Sequence, residues 1–164
     1  MPLCLTARVS PLCVLLISPS PVYRCAQELQ DVAYTCCRAV QYLHDAGVVH
    51  RDIRWPNIVR LDDRHWMVVD LEDAAKAPSE LPATYNLSGW DEDTCDPGQA
   101  PGTKVYSTLS DMHQIGKLLQ PHLARLPGIP PAAHDFVRKL LGKELTAGEA
   151  LQAAWLMPLE SSGQ

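Results

Sequence analysis

From Gln27 to Ala46 apolar residues return at Leu29, Val32, Ala33, Cys36, Val40 and Leu43, three or four positions apart, and Gly47 follows. An α-helix turns once in about 3.6 residues, so this spacing lines one face with side chains that must be covered. A glycine just past the last turn adopts the left-handed backbone that closes a helix. Such a helix draws most of its stability from a partner surface, so the chain must fold as a lobe packed against this stripe.

The 164 residues suffice for one compact domain with a real core and fall short of two ordinary ones. A net charge of −5 without a block of like charges gives no footprint for nucleic acid. Six cysteines, Cys4, Cys13, Cys25, Cys36, Cys37 and Cys95, include no pair with metal-ligand spacing. Cys36 and Cys37 sit side by side on the helix and are expected on different faces. They read as free thiols in a reducing compartment, which points to a cytoplasmic location.

Arg8 precedes the apolar run Leu12 to Ile17, a loose imitation of a secretory signal. The run is short and closed by Pro19 and Pro21, and residues 12–18 read instead as a strand buried on both faces. No stretch approaches the roughly 20 apolar residues that a membrane-spanning helix needs. No membrane association is expected.

Beyond Gly47, Asn57 to Leu61 and His65 to Asp70 read as two short strands around the turn Asp62-Asp63-Arg64. Residues 76–104, rich in Pro, Gly, Ser, Thr and acids, show no period and are expected to form a long loop. Ser110 is expected to cap a helix from Asp111 to about Gln120, and Pro131 to Leu141 to form another with Phe136, Val137, Leu140 and Leu141 inward. Thr146-Ala147-Gly148-Glu149 has the form of a capping box opening a last helix toward Trp155. The expected class is mainly α with a small β-hairpin.

The segment His50-Arg51-Asp52-Ile53-Arg54-Trp55-Pro56-Asn57 carries the chemistry. Its fixed positions, H-R-D and an N five places on, arise by chance in a chain this long on the order of once in a thousand. Phosphoryl transfer needs little covalent help and rests on positioning and charge neutralisation. Asp52 suits the task of accepting or orienting a substrate hydroxyl, Asn57 can offer a carbonyl oxygen to Mg²⁺, and Asp70 is the hard oxygen ligand that magnesium prefers.

This segment matches the protein kinase catalytic loop, and residues 27–157 resemble the C-terminal lobe of the eukaryotic protein kinase-like fold. The resemblance implies ATP and Mg²⁺ as cofactors, Asp52 as catalytic base, Asn57 and Asp70 as metal ligands, and Arg54 as a contact to the transferring phosphate. It also implies that Ile58 and Val59 support the adenine ring, and that Asp111, in Asp111-Met112-His113-Gln114-Ile115-Gly116, braces the catalytic loop. A protein substrate or binding partner would meet the chain through this lobe. Residues 1–26 are expected to be a remnant of an N-terminal-lobe strand and hinge, and 158–164 a tail.

Departures from the family pattern are equally specific. Asp70-Leu71-Glu72 stands where the family has D-F-G, and Ala100-Pro101-Gly102 is a weak counterpart of A-P-E. Glu144 occupies the place of the Arg that usually pairs with that motif, so the ion pair is expected to be lost. The first lysine is Lys76 and the first glycine Gly47, so neither a Gly-rich loop nor a strand lysine precedes the catalytic loop. Isolated transfer activity is therefore expected to be very slow. Two other readings stand beside the protein kinase: a non-catalytic kinase-like interaction module, and a small-molecule kinase of the aminoglycoside or choline type, in which an acid often follows the metal Asp.

Single residues carry plainer expectations. His50 is read as a packed core histidine. Arg51 is read as an anchor for an anion on the long loop, with Thr84, Tyr85, Ser88, Thr94 and Thr103 as candidate phosphosites and Asp91-Glu92-Asp93 as an unmodified substitute. Trp55, Trp66, Trp90 and Trp155 are read as core or loop anchors rather than a stacking platform.

Overall fold

The computed structural model describes residues 25–81, 91, 93–98 and 103–157. The amphipathic stretch forms helix α1, Ala26–Asp45, closed at Ala46 and followed by Gly47 at φ +71°. Its buried face includes Leu29, Val32, Ala33, Cys36, Cys37 and Val40. Cys36 and Cys37, on different faces of the helix, are both fully buried. The reason is that α1 is enclosed on several sides by later elements. Burial pushes the Cys36 thiol up to about 12 and that of Cys37 well above its usual range, so both are inert hydrophobes. Cys25, Cys36, Cys37 and Cys95 are all free thiols.

After α1, strand β1 (Val48–Val49) leads into the extended segment 50–54 and a 3₁₀ turn, Trp55–Asn57. Strands β2 (Ile58–Arg60) and β3 (Trp66–Val68) then pair antiparallel, Ile58 opposite Val68 and Arg60 opposite Trp66. Asp62 makes the turn: its carboxylate accepts from the Arg64 and His65 amides, both at 2.9 Å. This is the expected hairpin. Strand β4 (Ala75–Lys76) returns to pair with β1.

The stretch expected to be one long loop contains a small sheet. Strands β5 (Ser79–Leu81), β6 (Asp96–Pro97) and β7 (Lys104–Tyr106) pair antiparallel in the order β5-β7-β6. Each is two or three residues long, too short to show an alternating pattern, and β6 tolerates Pro97 because it is an edge strand. The expected strand at 12–18, the motif Ala100-Pro101-Gly102 and the tail lie outside the described residues.

Helix α2, Thr108–Leu123, starts earlier than expected. Its N-cap is Ser107, whose hydroxyl accepts from the Leu109 amide, while Ser110 Oγ accepts from the Ser107 amide at 3.1 Å. Ser110 is thus the third residue of a capping box rather than the cap itself. Helix α3, Pro131–Leu141, and helix α4, Ala147–Leu151, follow the sequence signals, and Thr146 and Glu149 exchange the two bonds of the α4 capping box.

The core gathers Leu29, Val32 and Val40 of α1, Met112, Ile115 and Leu119 of α2, Phe136 and Leu140 of α3, and Ala150 of α4. Trp155 closes it beside Phe136, ring centroids 5.1 Å apart. Trp66 is buried in the same cluster. Of the four tryptophans, the three described ones are therefore packing anchors, Trp55 being partly buried. Gly116 lets α2 and α3 meet closely: a Cβ there would lie 3.1 Å from Leu140 Cβ and the Leu141 amide nitrogen.

Candidate active site

Segment 50–57 is held from α2. Asp111, with none of its surface exposed, accepts four hydrogen bonds: from the His50 amide at 2.8 Å, the Arg51 amide at 2.9 Å, Tyr106 Oη at 2.7 Å and His44 Nε2 at 2.9 Å. One turn on, Gln114 Oε1 accepts from the Ile53 amide at 2.9 Å and its Nε2 donates to the Arg51 carbonyl at 3.1 Å. The brace by Asp111 was legible in the D-x-x-x-x-G spacing, but the parts of His44, Tyr106 and Gln114 were not. The His44 ring must donate through Nε2, because its partner is a carboxylate.

These bonds stabilise an unfavourable backbone. Arg51 has φ +71°, a left-handed conformation that costs a residue with a side chain about 1–2 kcal/mol. Its amide is fixed by Asp111 and its carbonyl by Gln114, so both flanking peptide planes are set. The Arg51 guanidinium turns toward the following segment, donating through Nε to the Asp73 carbonyl and through Nη1 to Ser79 Oγ at 3.1 Å. It thereby fastens the catalytic loop to residues 73–79. His50 is fully buried, with Nδ1 accepting from the Asp52 amide at 3.3 Å, which agrees with a packing role.

The result is a polar knot around Asp52, which is only 5% exposed. Its Oδ2 accepts from Asn57 Nδ2 at 2.7 Å and from Arg54 Nε at 2.9 Å. Asn57 Nδ2 also donates to the Asp52 carbonyl at 2.9 Å, so the amide nitrogen is committed to Asp52 and the carbonyl Oδ1 is turned away from it. The 3₁₀ turn with Pro56 in its first positions supplies the bend that brings Asn57 back onto Asp52.

Asp70 follows the second strand of the hairpin. The Val69 amide donates to the Asn57 carbonyl at 2.9 Å, extending the β2–β3 ladder by one pair and setting Asp70 next to Asn57. Asp70 is exposed and has φ +67°. In this chain the left-handed residue of the D-L-E segment is thus the aspartate, and Glu72 occupies backbone that needs no glycine. The structure joins Asp52, Arg54 and Asn57 by hydrogen bonds and places the Asp70 backbone one residue beyond the partner of Asn57. Val59 stands apart, on the partly exposed face of β2 opposite Met67.

Among the described residues no group of three or more His, Cys, Asp or Glu side chains is clustered as a metal cage. Magnesium takes one or two carboxylates together with substrate phosphates, and the exposed Asp70 is an accessible carboxylate of that kind.

The segment after β5 is tied down by charges. Lys143 Nζ lies 3.2 Å from Asp96 Oδ1 and donates to the Cys95 carbonyl at 2.7 Å, while Lys117 Nζ lies 2.7 Å from Asp91. The ion pair expected to be lost because Glu144 replaces an arginine involves residues 100–102, which lie outside the described residues. Glu144 pairs instead with Arg138 at 2.8 Å. Thr94 is buried and donates to Asp91, which removes it from the accessible phosphosites. Thr84, Tyr85 and Ser88 lie outside the described residues, and Thr103 is half-buried.

No protein-family model matches the chain. Crinkler effector protein 8 of Phytophthora infestans is 32% identical over 120 residues, which cover 70% of this chain and 20% of that protein. Ribosomal protein S6 kinase alpha-2 of Mus musculus is 49% identical over 37 residues, 23% of this chain and 5% of that protein. Serine/threonine-protein kinase PAK mbt of Drosophila melanogaster is 33% identical over 63 residues, 38% of this chain and 10% of that protein. The chain spans about a fifth or less of the length of each. Among solved structures, the ROP18 kinase domain in complex with AMP-PNP and sucrose superposes over 78% of this chain and 40% of its own, with a TM-score of 0.60 at 20% identity. No helix among the described residues is long and apolar enough to cross a membrane. The chain is similar in sequence to protein kinases over parts of its length and carries a protein-kinase-like fold, that of the C-terminal lobe.

Proposed function

We propose that the chain takes part in magnesium-dependent transfer of the γ-phosphate of ATP to a protein hydroxyl, Asp52 acting as base. The observation that carries this reading is the knot at Asp52, a buried carboxylate aimed by Asn57 and Arg54 on a loop fixed from α2. Asp52 would accept the hydrogen of the attacking hydroxyl, its direction set in advance so that little reorganisation remains at the moment of reaction. Arg54, 42% exposed at its side chain, is long enough to hold Asp52 through Nε while its tip meets a phosphate oxygen. Asn57 and Asp70 would hold the metal, which when bound neutralises charge on the phosphates. Val59 would lie beneath the adenine.

A thermal-shift titration with magnesium–ATP tests the reading. A rise in Tm that Asp70→Ala abolishes is the expected outcome, and an unchanged Tm in both proteins would defeat it. A transfer assay offering peptides and small amino alcohols separates a protein substrate from a small one.

A second reading, a non-catalytic interaction module, is favoured by the exposed apolar side chains Val59, Leu61, Met67 and Leu71 around the hairpin. The absence of a magnesium–ATP response would select it.

A further inference from the structure

We infer that Gln114 is a positioning residue for the reactive loop, setting the direction of Asp52 through the backbone on both sides of it. The inference deepens the reading of Asp52 as the reactive carboxylate and rests on it for its functional meaning.

Asp52 lies between two residues whose backbone groups Gln114 holds with one carboxamide. Oε1 accepts from the Ile53 amide at 2.9 Å and Nε2 donates to the Arg51 carbonyl at 3.1 Å. Gln114 is itself 5% exposed, so both bonds are sheltered from water, where an amide left without its partner is costly. Asp111 holds the peptide groups ahead of Asp52, at His50 and Arg51, and nothing in its bonding reaches beyond. Gln114 holds the carbonyl side of the left-handed Arg51 and the amide of Ile53 from α2, while His50 Nδ1 and Asn57 Nδ2, both within the loop, meet the other ends of the same peptide groups at the Asp52 amide and carbonyl. A loop fastened to α2 only ahead of Asp52 would keep, beyond Arg51, just the bonds made within the loop itself, and a shift there would move Asp52 Oδ2 relative to Asn57 Nδ2 and Arg54 Nε.

The two functional groups of the carboxamide do different work, which makes the residue type testable. A glutamate keeps the acceptor for Ile53 but sets a carboxylate oxygen against the Arg51 carbonyl. A leucine of similar volume removes both bonds and leaves the packing. Neither change touches Asp52, Asn57 or Asp70.

The experiment compares the full chain with Gln114→Leu and Gln114→Glu by amide hydrogen exchange and by NMR of the Asn57 side-chain amide, which reports its bond to Asp52. In Gln114→Leu the Ile53 amide should exchange roughly tenfold faster, and the Asn57 side-chain resonances should move toward solvent-exposed values, while core amides such as that of Leu119 keep their protection. Gln114→Glu should retain much of the Ile53 protection yet still shift Asn57. Where transfer by the parent chain is measurable, kcat should fall about tenfold or more in Gln114→Leu with KM for ATP unchanged. Unaltered Ile53 exchange and Asn57 resonances in both variants would overturn the inference, as would a uniform loss of protection throughout α2. A parent chain that neither binds magnesium–ATP nor transfers phosphate would sink the phosphotransfer reading, while the coupling of Gln114 to Asn57 would still be decided by the spectra.

Discussion

Asp111 is the residue on which the site most depends, because it satisfies four donors where no water can replace it. Removing the carboxylate would leave the His50 and Arg51 amides and the Tyr106 hydroxyl buried without an acceptor. Each such group costs about 1–3 kcal/mol, and partial relaxation reduces the sum. Asp111→Ala should therefore lower stability by about 3–5 kcal/mol in urea denaturation, whereas Tyr106→Phe, which removes a donor and leaves the carboxylate three others, should cost about 1 kcal/mol. Burial and the neighbouring Asp111 carboxylate both hold the Tyr106 phenol well above its usual range, so this bond keeps its proton through alkaline conditions that ionise exposed tyrosines. A loss of under 1 kcal/mol for Asp111→Ala would show that the loop holds its shape without α2.

At the scale of elements, the catalytic loop is joined to α2 at a second point, where Trp55 sets its ring edgewise to His122 at 5.1 Å between centroids. Partial burial, and then Arg125, hold the His122 imidazole below its ordinary value of 6.5. The folded state therefore prefers the neutral ring more than the unfolded chain does. The resulting stability is fully present above pH 6.5 and declines as pH falls through the lower folded value. Thermal melts between pH 7.5 and pH 5 should show a decline that His122→Phe reduces, and an identical pH profile in the variant would remove His122 from the account. The elements were unevenly legible. Helix α1 announced itself by six apolar positions and Gly47, and α4 by Thr146 and Glu149, because these signals are local and repeat with the helix period. The start of α2 was misread by one capping step, since Ser107 and Ser110 are both good caps and only the fold selects between them. Strands β5 to β7 left no pattern in two or three residues each. Within the candidate site, the Asp52–Asn57 pairing and the Asp111 brace were readable from spacing, while Gln114 and His44 act across more than sixty residues and, like Tyr106, leave no periodic trace.

For the molecule as a whole, the apolar side chains on the hairpin face set its behaviour in solution. Val59 and Met67 oppose each other across β2 and β3, with Leu61 and Leu71 near the hairpin ends, and all four are at least 36% exposed. The isolated chain should self-associate or bind a hydrophobic dye, and Val59→Lys with Met67→Lys should return it toward a monomer in sedimentation velocity at unchanged helix content. A monomeric parent with no dye binding would mean that this face is already covered. The Asp111 brace has one more consequence, in the order in which the chain is made. Its bonds to the reactive loop join residues 60 and 61 positions apart, and Gln114 reaches Ile53 across 61. A ribosome releases the loop long before α2, so during synthesis His50 to Asn57 must wait, unlatched, for the helix that gives it shape. Any nascent or cleaved fragment ending ahead of Asp111 would carry residues 50–57 without the bonds that give them their shape.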